Sequence, residues 1–243
     1  MKIIHVAGVS GTGKTTFIHS LIPALKARGP VGVIKHIGHH DLTLEEGKDT
    51  TRFFEAGARI SAGIDREKMV TAIRETDLGE ILVMLCDAGM QFAVIEGFKA
   101  RPYPKIVIGG LDDAENVLMT DPTIDEVLAR LDECEEFITA EGFAKSFRKG
   151  CYSGTTVLFC TLACPQQADS TIISDAEANL ERNIKEIEGV LFVRLRYSGK
   201  IPGKRDQEIH LGVCAADSNS AIEAALFATD ILLPLTSPEQ GAD

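Results

Sequence analysis

Near the start of the chain, Gly8-Val9-Ser10-Gly11-Thr12-Gly13-Lys14-Thr15 fits the spacing G-x-x-x-x-G-K-[ST], with Thr16 following directly. Residues of these types at this spacing form a phosphate-cradling P-loop. Gly8, Gly11 and Gly13 leave no Cβ in the way of backbone N–H groups that curl around a phosphate, and Ser10, Thr12 and Thr16 complete the candidate cradle. Lys14 is expected to reach the β- and γ-phosphates of a nucleoside triphosphate, and the Thr15 hydroxyl to ligate Mg²⁺. Such a site needs a carboxylate at the end of a neighbouring parallel strand, and Glu96, closing Phe92-Ala93-Val94-Ile95, is the candidate metal ligand. The competing reading of Glu96 is a strand-end carboxylate without a partner. Gly97, next in the chain, would let the backbone pass close to the γ-phosphate.

A second group of chemistry-bearing residues is His36-Ile37-Gly38-His39-His40-Asp41. Three histidines and an aspartate so close together could bind a transition metal. They could instead form a loop facing the γ-phosphate, with Asp41 in the outer Mg²⁺ shell, or a solvated loop with neither role. Lys48, Asp49 and Arg52 open the next helix, where i, i+3 and i, i+4 spacing by itself reads as an ordinary solvated face. Of the signals that select a guanine base, Gly203-Lys204-Arg205-Asp206 has nearly the right letters but lies far from the loop. Thr120-Asp121 is better placed but too short to be diagnostic.

These residues need elements to hold them. Ile3, Ile4 and Val6 predict a strand before the loop, and Phe17, Ile18, Leu21, Ile22 and Leu25 a helix after it, kinked at Pro23. Strand Val31–Lys35, a helix from about Lys48 to Ala56, short strands Arg59–Ile64 and Met69–Arg74, and a helix at Leu78–Asp87 follow. Then come strands Phe92–Ile95, Lys105–Ile108 and Val117–Met119 and a helix from about Ile124 to Phe137. Helices alternating with apolar strands indicate an α/β fold, a doubly wound and mostly parallel sheet of the P-loop NTPase kind. The pattern weakens at Thr139–Gly150, which sets a boundary between a domain over 1–140 and a smaller α+β domain over 150–235. The second domain reads as strand Gly154–Leu162, helix Asp169–Ile187, strands Val190–Tyr197 and Glu208–Ala215, and a helix Asp217–Leu233 capped by Asp217 or Ser218. The tail beyond Pro234 is expected to be loose.

The chain has 243 residues and a formal net charge of −11, which argues against nucleic acid or an anionic membrane as a general partner. No apolar run is long enough to span a bilayer, and Met1-Lys2-Ile3-Ile4-His5 enters a strand without a signal peptide. The six cysteines form no C-x-x-C pair and read as reduced thiols, so the expected compartment is the cytoplasm.

Taken in order, Val33-Ile34-Lys35-His36, His39-His40-Asp41, Gly47-Lys48-Asp49-Thr50 with Arg52, Ala56-Gly57-Ala58, Val94-Ile95-Glu96-Gly97-Phe98-Lys99 and Pro104-Lys105-Ile106 resemble the MobB family, the molybdopterin-guanine dinucleotide biosynthesis adapter proteins. The resemblance covers approximately residues 1–135. It implies a GTP-binding domain with weak GTPase activity, dimerisation through that domain, and work with MobA, the guanylyltransferase that joins GMP to molybdopterin. It also implies that Asp41, Asp49, Arg52, Glu96 and Lys99 belong to the nucleotide site. In that scheme Glu96 with Asp41 or Asp49 positions metal and water, Thr15, Glu96 and Asp41 surround Mg²⁺, and Arg52 could add charge. Two other functions fit a P-loop, a small-molecule kinase and a metallochaperone-type GTPase using His36, His39, His40 and Cys86.

In the second domain Gly154–Phe159, the Pro202-Gly203 turn into Glu208-Ile209-His210-Leu211-Gly212-Val213, and Ala221-Ile222-Glu223-Ala224-Ala225 through Asp230 resemble MoaE, the large subunit of molybdopterin synthase. Ala216-Asp217-Ser218 stands where that family has Ala-His-Arg, Leu233 and Gln240 where its two functional lysines align, and Thr161-Leu162-Ala163-Cys164 where it has an arginine-bearing turn. The resemblance therefore implies a module that has lost catalysis and kept a dimerisation or pterin-docking role.

Overall fold

The computed structural model describes residues 1–38, 43–74, 76–111, 114–164, 170–198 and 207–236. Its first half is built on β1 (Lys2–Ala7), whose residues from Ile3 onward are buried, as an almost wholly apolar run in mid-sheet requires. β1 is followed by α1 (Lys14–Lys26), β2 (Val31–Lys35), α2 (Asp49–Glu55), β3 (Ile60–Ile64), β4 (Met69–Ile73) and α3 (Leu78–Asp87). Then come β5 (Phe92–Glu96), β6 (Lys105–Val107), β7 (Val117–Thr120) and α4 (Ile124–Ala129). The central sheet has the order β2-β5-β1-β6-β7 and every pair in it is parallel, the doubly wound α/β sheet that the apolar strands predict. α1 and α4 cover one face, with Ile18, Leu21, Leu25 and Val127 against Ile4, Val6, Val94 and Ile106. α3 covers the other, with Leu78, Leu82 and Cys86 against Ile3, Ile34, Ala93 and Ile95. β1 lies between β5 and β6, and the chain crosses from one side of it to the other after β5. The carboxyl edge there opens into a crevice, where ligands bind in sheets of this kind.

The two short strands expected after α2 are present and pair with each other as the antiparallel hairpin β3–β4, outside the central sheet. Several local expectations are corrected. The helix expected over 124–137 ends at Ala129 and is followed by a 3₁₀ turn at Leu131–Glu133. Beyond it the chain runs extended beside β1, with Glu135 O accepting from Ile3 N at 2.9 Å and Phe137 N donating to Met1 O at 2.8 Å. The spacing of Leu131, Cys134 and Phe137 imitates a helix. The free backbone groups at the start of β1 decide otherwise, because unpaired buried N–H groups are costly. α1 stays helical from Lys14 to Lys26 with Pro23 inside it and exposed, so the carbonyl that loses its partner is on the solvent side.

The weakly patterned stretch after Thr139 forms α5 (Ala140–Arg148), capped by the Thr139 hydroxyl, which accepts from Gly142 N at 3.0 Å. β8 (Thr156–Cys164), α6 (Ser170–Lys185), β9 (Val190–Ser198), β10 (Gln207–Ala215) and α7 (Ser218–Thr236) complete the chain. The three strands form an antiparallel sheet in the order β8-β10-β9. Strand alternation gives that sheet two buried faces. Ile209, Leu211, Val213 and Ala215 of β10 pack on Leu180 and Ile184 of α6 and on Ala221, Ala224, Ala228 and Leu232 of α7. Cys214, with Phe159 and Phe192, faces α5 and its Phe143 and Phe147. Asp217 caps α7, its Oδ1 accepting from Asn219 N and Ser220 N at 2.8 and 2.9 Å. Among the described residues no helix is long and apolar enough to cross a membrane. The tail beyond 236, Gln240 and the 203–206 stretch lie outside the described residues.

Candidate functional site

The loop between β1 and α1 sits at the carboxyl edge of the sheet, with Gly8, Gly11 and Gly13 at φ of +148°, +80° and +91°. Gly8 is there of necessity, since a Cβ would lie 2.2 Å from the Ile108 carbonyl oxygen. The Thr12 hydroxyl lies 2.9 Å from Val9 O and 2.8 Å from Ile108 O, sharing its proton between them, so Thr12 fastens the loop to the end of β6. The Lys14 ammonium turns back onto the Val9 carbonyl, across the loop's concave side. Gly8, Ser10 and Lys14 open onto a cleft of about 620 Å³ whose other wall is Lys35, His36, Glu96, Gly97, Phe98 and Lys99. Its volume falls within the range usual for small-molecule sites. Thr16 faces a second, shallower hollow, of about 470 Å³, between Gly13 and the Pro122–Ile124 turn.

Parallel pairing of β1 with β5 brings Glu96 to the loop, with Val6 opposite Glu96 in register. Both Glu96 carboxylate oxygens lie 3.3 Å from the Thr15 hydroxyl, and the Glu96 side chain is only 13% exposed. Neighbouring oxygens around an octahedral Mg²⁺ at 2.0–2.1 Å are about 2.9 Å apart, so a hydroxyl and a carboxylate at this separation fit that ion with little movement. The sequence reading missed Lys35. Its ammonium is 3.3 Å from Glu96 Oε1 and 3.5 Å from the Thr15 hydroxyl, because β2 pairs with β5 and sets Lys35 directly opposite Glu96. His36 continues the same wall, its backbone N–H donating to Glu96 O at 2.8 Å and its ring stacking on Phe98 at 4.3 Å.

Gly97, at φ +96°, passes so close to His36 that a Cβ would lie 2.7 Å from that residue's own Cβ. Behind it His5, fully buried, holds the turn, with Nε2 2.6 Å from Gly97 O. Since the carbonyl can only accept, Nε2 carries the proton, and burial keeps the ring's pKa below its usual value. Alongside, burial pushes the Tyr103 phenol up to about 12. Burial also lowers the pKa of Lys105, whose ammonium donates to the carbonyls of Arg101, Tyr103 and Glu115.

The remaining sequence candidates are dispersed. Asp49 and Arg52, on α2, are 81% and 74% exposed, pair with each other at 4.0 Å and do not line the cleft. Asp41, His39 and His40 lie outside the described residues. Among the described residues no group of three or more His, Cys, Asp or Glu is arranged to hold a metal. His36 lines the cleft, whereas Cys86 is on the buried face of α3, against Phe137 and Gly142. The Asp121 carboxylate accepts from Gly109 N at 2.7 Å and so braces the β6–β7 end of the sheet.

The family model for molybdopterin guanine dinucleotide synthesis protein B, MobB, matches residues 3–129, just over half of the chain. The chain belongs to the MobB family. Within it, the chain is 39% identical over 110 residues to the probable molybdopterin-guanine dinucleotide biosynthesis adapter protein of Bacillus subtilis, covering 44% of this chain and 64% of that protein. It is 38% identical over 115 residues to the Escherichia coli adapter protein, covering 44% of this chain and 65% of the relative. The chain thus spans a little under two thirds of the length of each of these two relatives. The crystal structure of Bacillus subtilis MobB aligns with 54% of this chain and 98% of its own length, at 27% identity and a TM-score of 0.45. The matched stretch contains the loop, Thr15, Lys35 and Glu96, and ends before α5 and the antiparallel sheet.

Proposed function

We propose that this protein is a GTP-binding adapter that assists attachment of GMP to molybdopterin, forming molybdopterin guanine dinucleotide. The observation that carries the reading is the convergence of Lys14, Thr15 and Glu96 on one cleft, in a chain of this family. Lys14 and the loop amides would hold the β- and γ-phosphates. Thr15 and Glu96 would hold Mg²⁺, which supplies charge neutralisation on the phosphates. Lys99 is exposed and lines the same cleft, where it can meet an anion. Turnover would be slow: the described lysines lining the cleft are Lys14, Lys35 and Lys99, with no arginine or glutamine among its described lining residues to orient water or neutralise the transition state. Function then resides in GTP-dependent binding more than in hydrolysis. Asp49 and Arg52 join this site only if α2 closes over the bound nucleotide.

The partners under this reading are a MobA-like guanylyltransferase, molybdopterin or its guanine dinucleotide, and a second copy of the chain. The hairpin supports the last. Ile60, Ile64 and Met69 share one of its faces at 59%, 78% and 62% exposure, a concentration of apolar surface suited to an interface between copies. The antiparallel module is proposed as MoaE-like but without sulfur-transfer activity, since Asp217 caps a helix where that family has a histidine.

The direct experiment is co-purification with the guanylyltransferase. Association is expected with GTP and Mg²⁺ and weaker with GDP. Failure to associate in either state would overturn the adapter reading.

A further inference from the structure

A second cavity lies at the opposite edge of the central sheet, between the start of β1, the end of α3, α5 and β9, with a volume of about 350 Å³. Five cationic side chains line it (Lys2, Lys145, Lys149, Arg194 and Arg196), with Glu136 the one carboxylate among its described lining residues. That is a local excess of positive charge on a chain whose formal net charge is −11. The clustering follows from element geometry. Lys145 and Lys149 are four apart and share a face of the α5 end, and Arg194 and Arg196 are two apart and share a face of β9.

Three of the five are already engaged. Lys2 donates to Asp132 O and Cys134 O and lies 3.9 Å from Glu136. Lys145 is bonded to Asp87 O at 2.6 Å and lies 3.4 Å from Glu141. Arg196 is paired with Glu177 at 2.7 Å and Glu181 at 3.6 Å. Lys149 and Arg194 have no carboxylate within 4.0 Å among the described residues. The Arg194 guanidinium lies over the Phe192 ring at 5.3 Å, and that ring comes within 3.6 Å of where a Cβ at Gly150, the residue after Lys149, would lie, so both cations border the same cavity. Phe143, Ile138 and Met90 add apolar surface to the same cavity.

The geometry points to a second anion site here, separate from the P-loop, that takes a small organic phosphate. Its phosphate meets Lys149 and Arg194, and its carbon skeleton lies against Phe143 and Ile138. Two unpaired cations match the charge of one phosphate dianion, and the guanidinium supplies paired donors for its oxygens. Because β1 and α3 form one side and β9 the other, an occupant would tie the parallel sheet to the antiparallel one.

The test is calorimetric titration of inorganic pyrophosphate into the full chain carrying Lys14→Ala, so that the P-loop does not report. One site per chain is expected. Adding Lys149→Gln and Arg194→Gln should weaken it at least tenfold, with thermal unfolding unchanged. Lys185→Gln, on the exposed side of α6, should leave it alone. No binding in the Lys14→Ala protein, full affinity in the triple variant, or an equal loss with Lys185→Gln would each overturn the assignment.

Discussion

Lys14→Ala is expected to remove nucleotide binding while the protein stays folded. The ammonium makes its bond to the Val9 carbonyl at the protein surface and supports no packing, so truncating it leaves the core untouched. Its place over the concave side of the loop makes it the nearest cation to a bound triphosphate, and truncating one partner of such a charge-assisted contact costs about 3 kcal/mol or more, roughly a hundredfold in affinity. Titration of GTP into the variant, with circular dichroism as the control, reads this directly. Glu96→Gln separates metal from phosphate in the same assay. Affinity without Mg²⁺ should persist, and the increase on adding Mg²⁺ should vanish, because the amide cannot replace the carboxylate beside Thr15. Wild-type affinity in Lys14→Ala would show that the loop does not contact phosphate.

Phe147→Ala should produce the largest loss of stability. Phe147 is 1% exposed, stacks on Phe192 at 4.9 Å, meets Phe159 edge-on at 5.4 Å, and packs on Gly212, where a Cβ would come within 2.7 Å of its ring. Removing a fully buried phenyl ring costs about 3–5 kcal/mol, and the backbone at Gly212 has no side chain to fill the space. Urea denaturation followed through a probe on the antiparallel sheet should show that drop, while GTP affinity changes little because the parallel sheet keeps its own clusters. A loss below about 1 kcal/mol would mean that α5 is not what covers this face of the sheet.

How far the molecule could be read in advance varies by residue. Glycines, a lysine and a hydroxyl at fixed spacing declare the loop, since the chemistry and the backbone both demand those types in consecutive positions. Glu96 was legible because it closes an apolar run. Lys35 was not, since only the adjacency of β2 and β5 sets it opposite Glu96, and strand order is a property of the sheet. His5 hid inside a strand read for its isoleucines, and its bond to Gly97 O joins residues far apart in sequence. α5 was missed because mixed charges masked the i, i+4 pair of Phe143 and Phe147, whose partners lie on β8, β9 and β10. The cationic cavity was invisible for the same reason, being split between α5 and β9.

The account rests on GTP held with Mg²⁺ by the β1–α1 loop, and the most direct measurement is titration of the wild-type chain with GTP and with ATP, each with and without Mg²⁺. The prediction is one site per chain, GTP favoured by roughly tenfold and tightened further by the metal. Absence of binding for both nucleotides, or affinity indifferent to Mg²⁺, would contradict it.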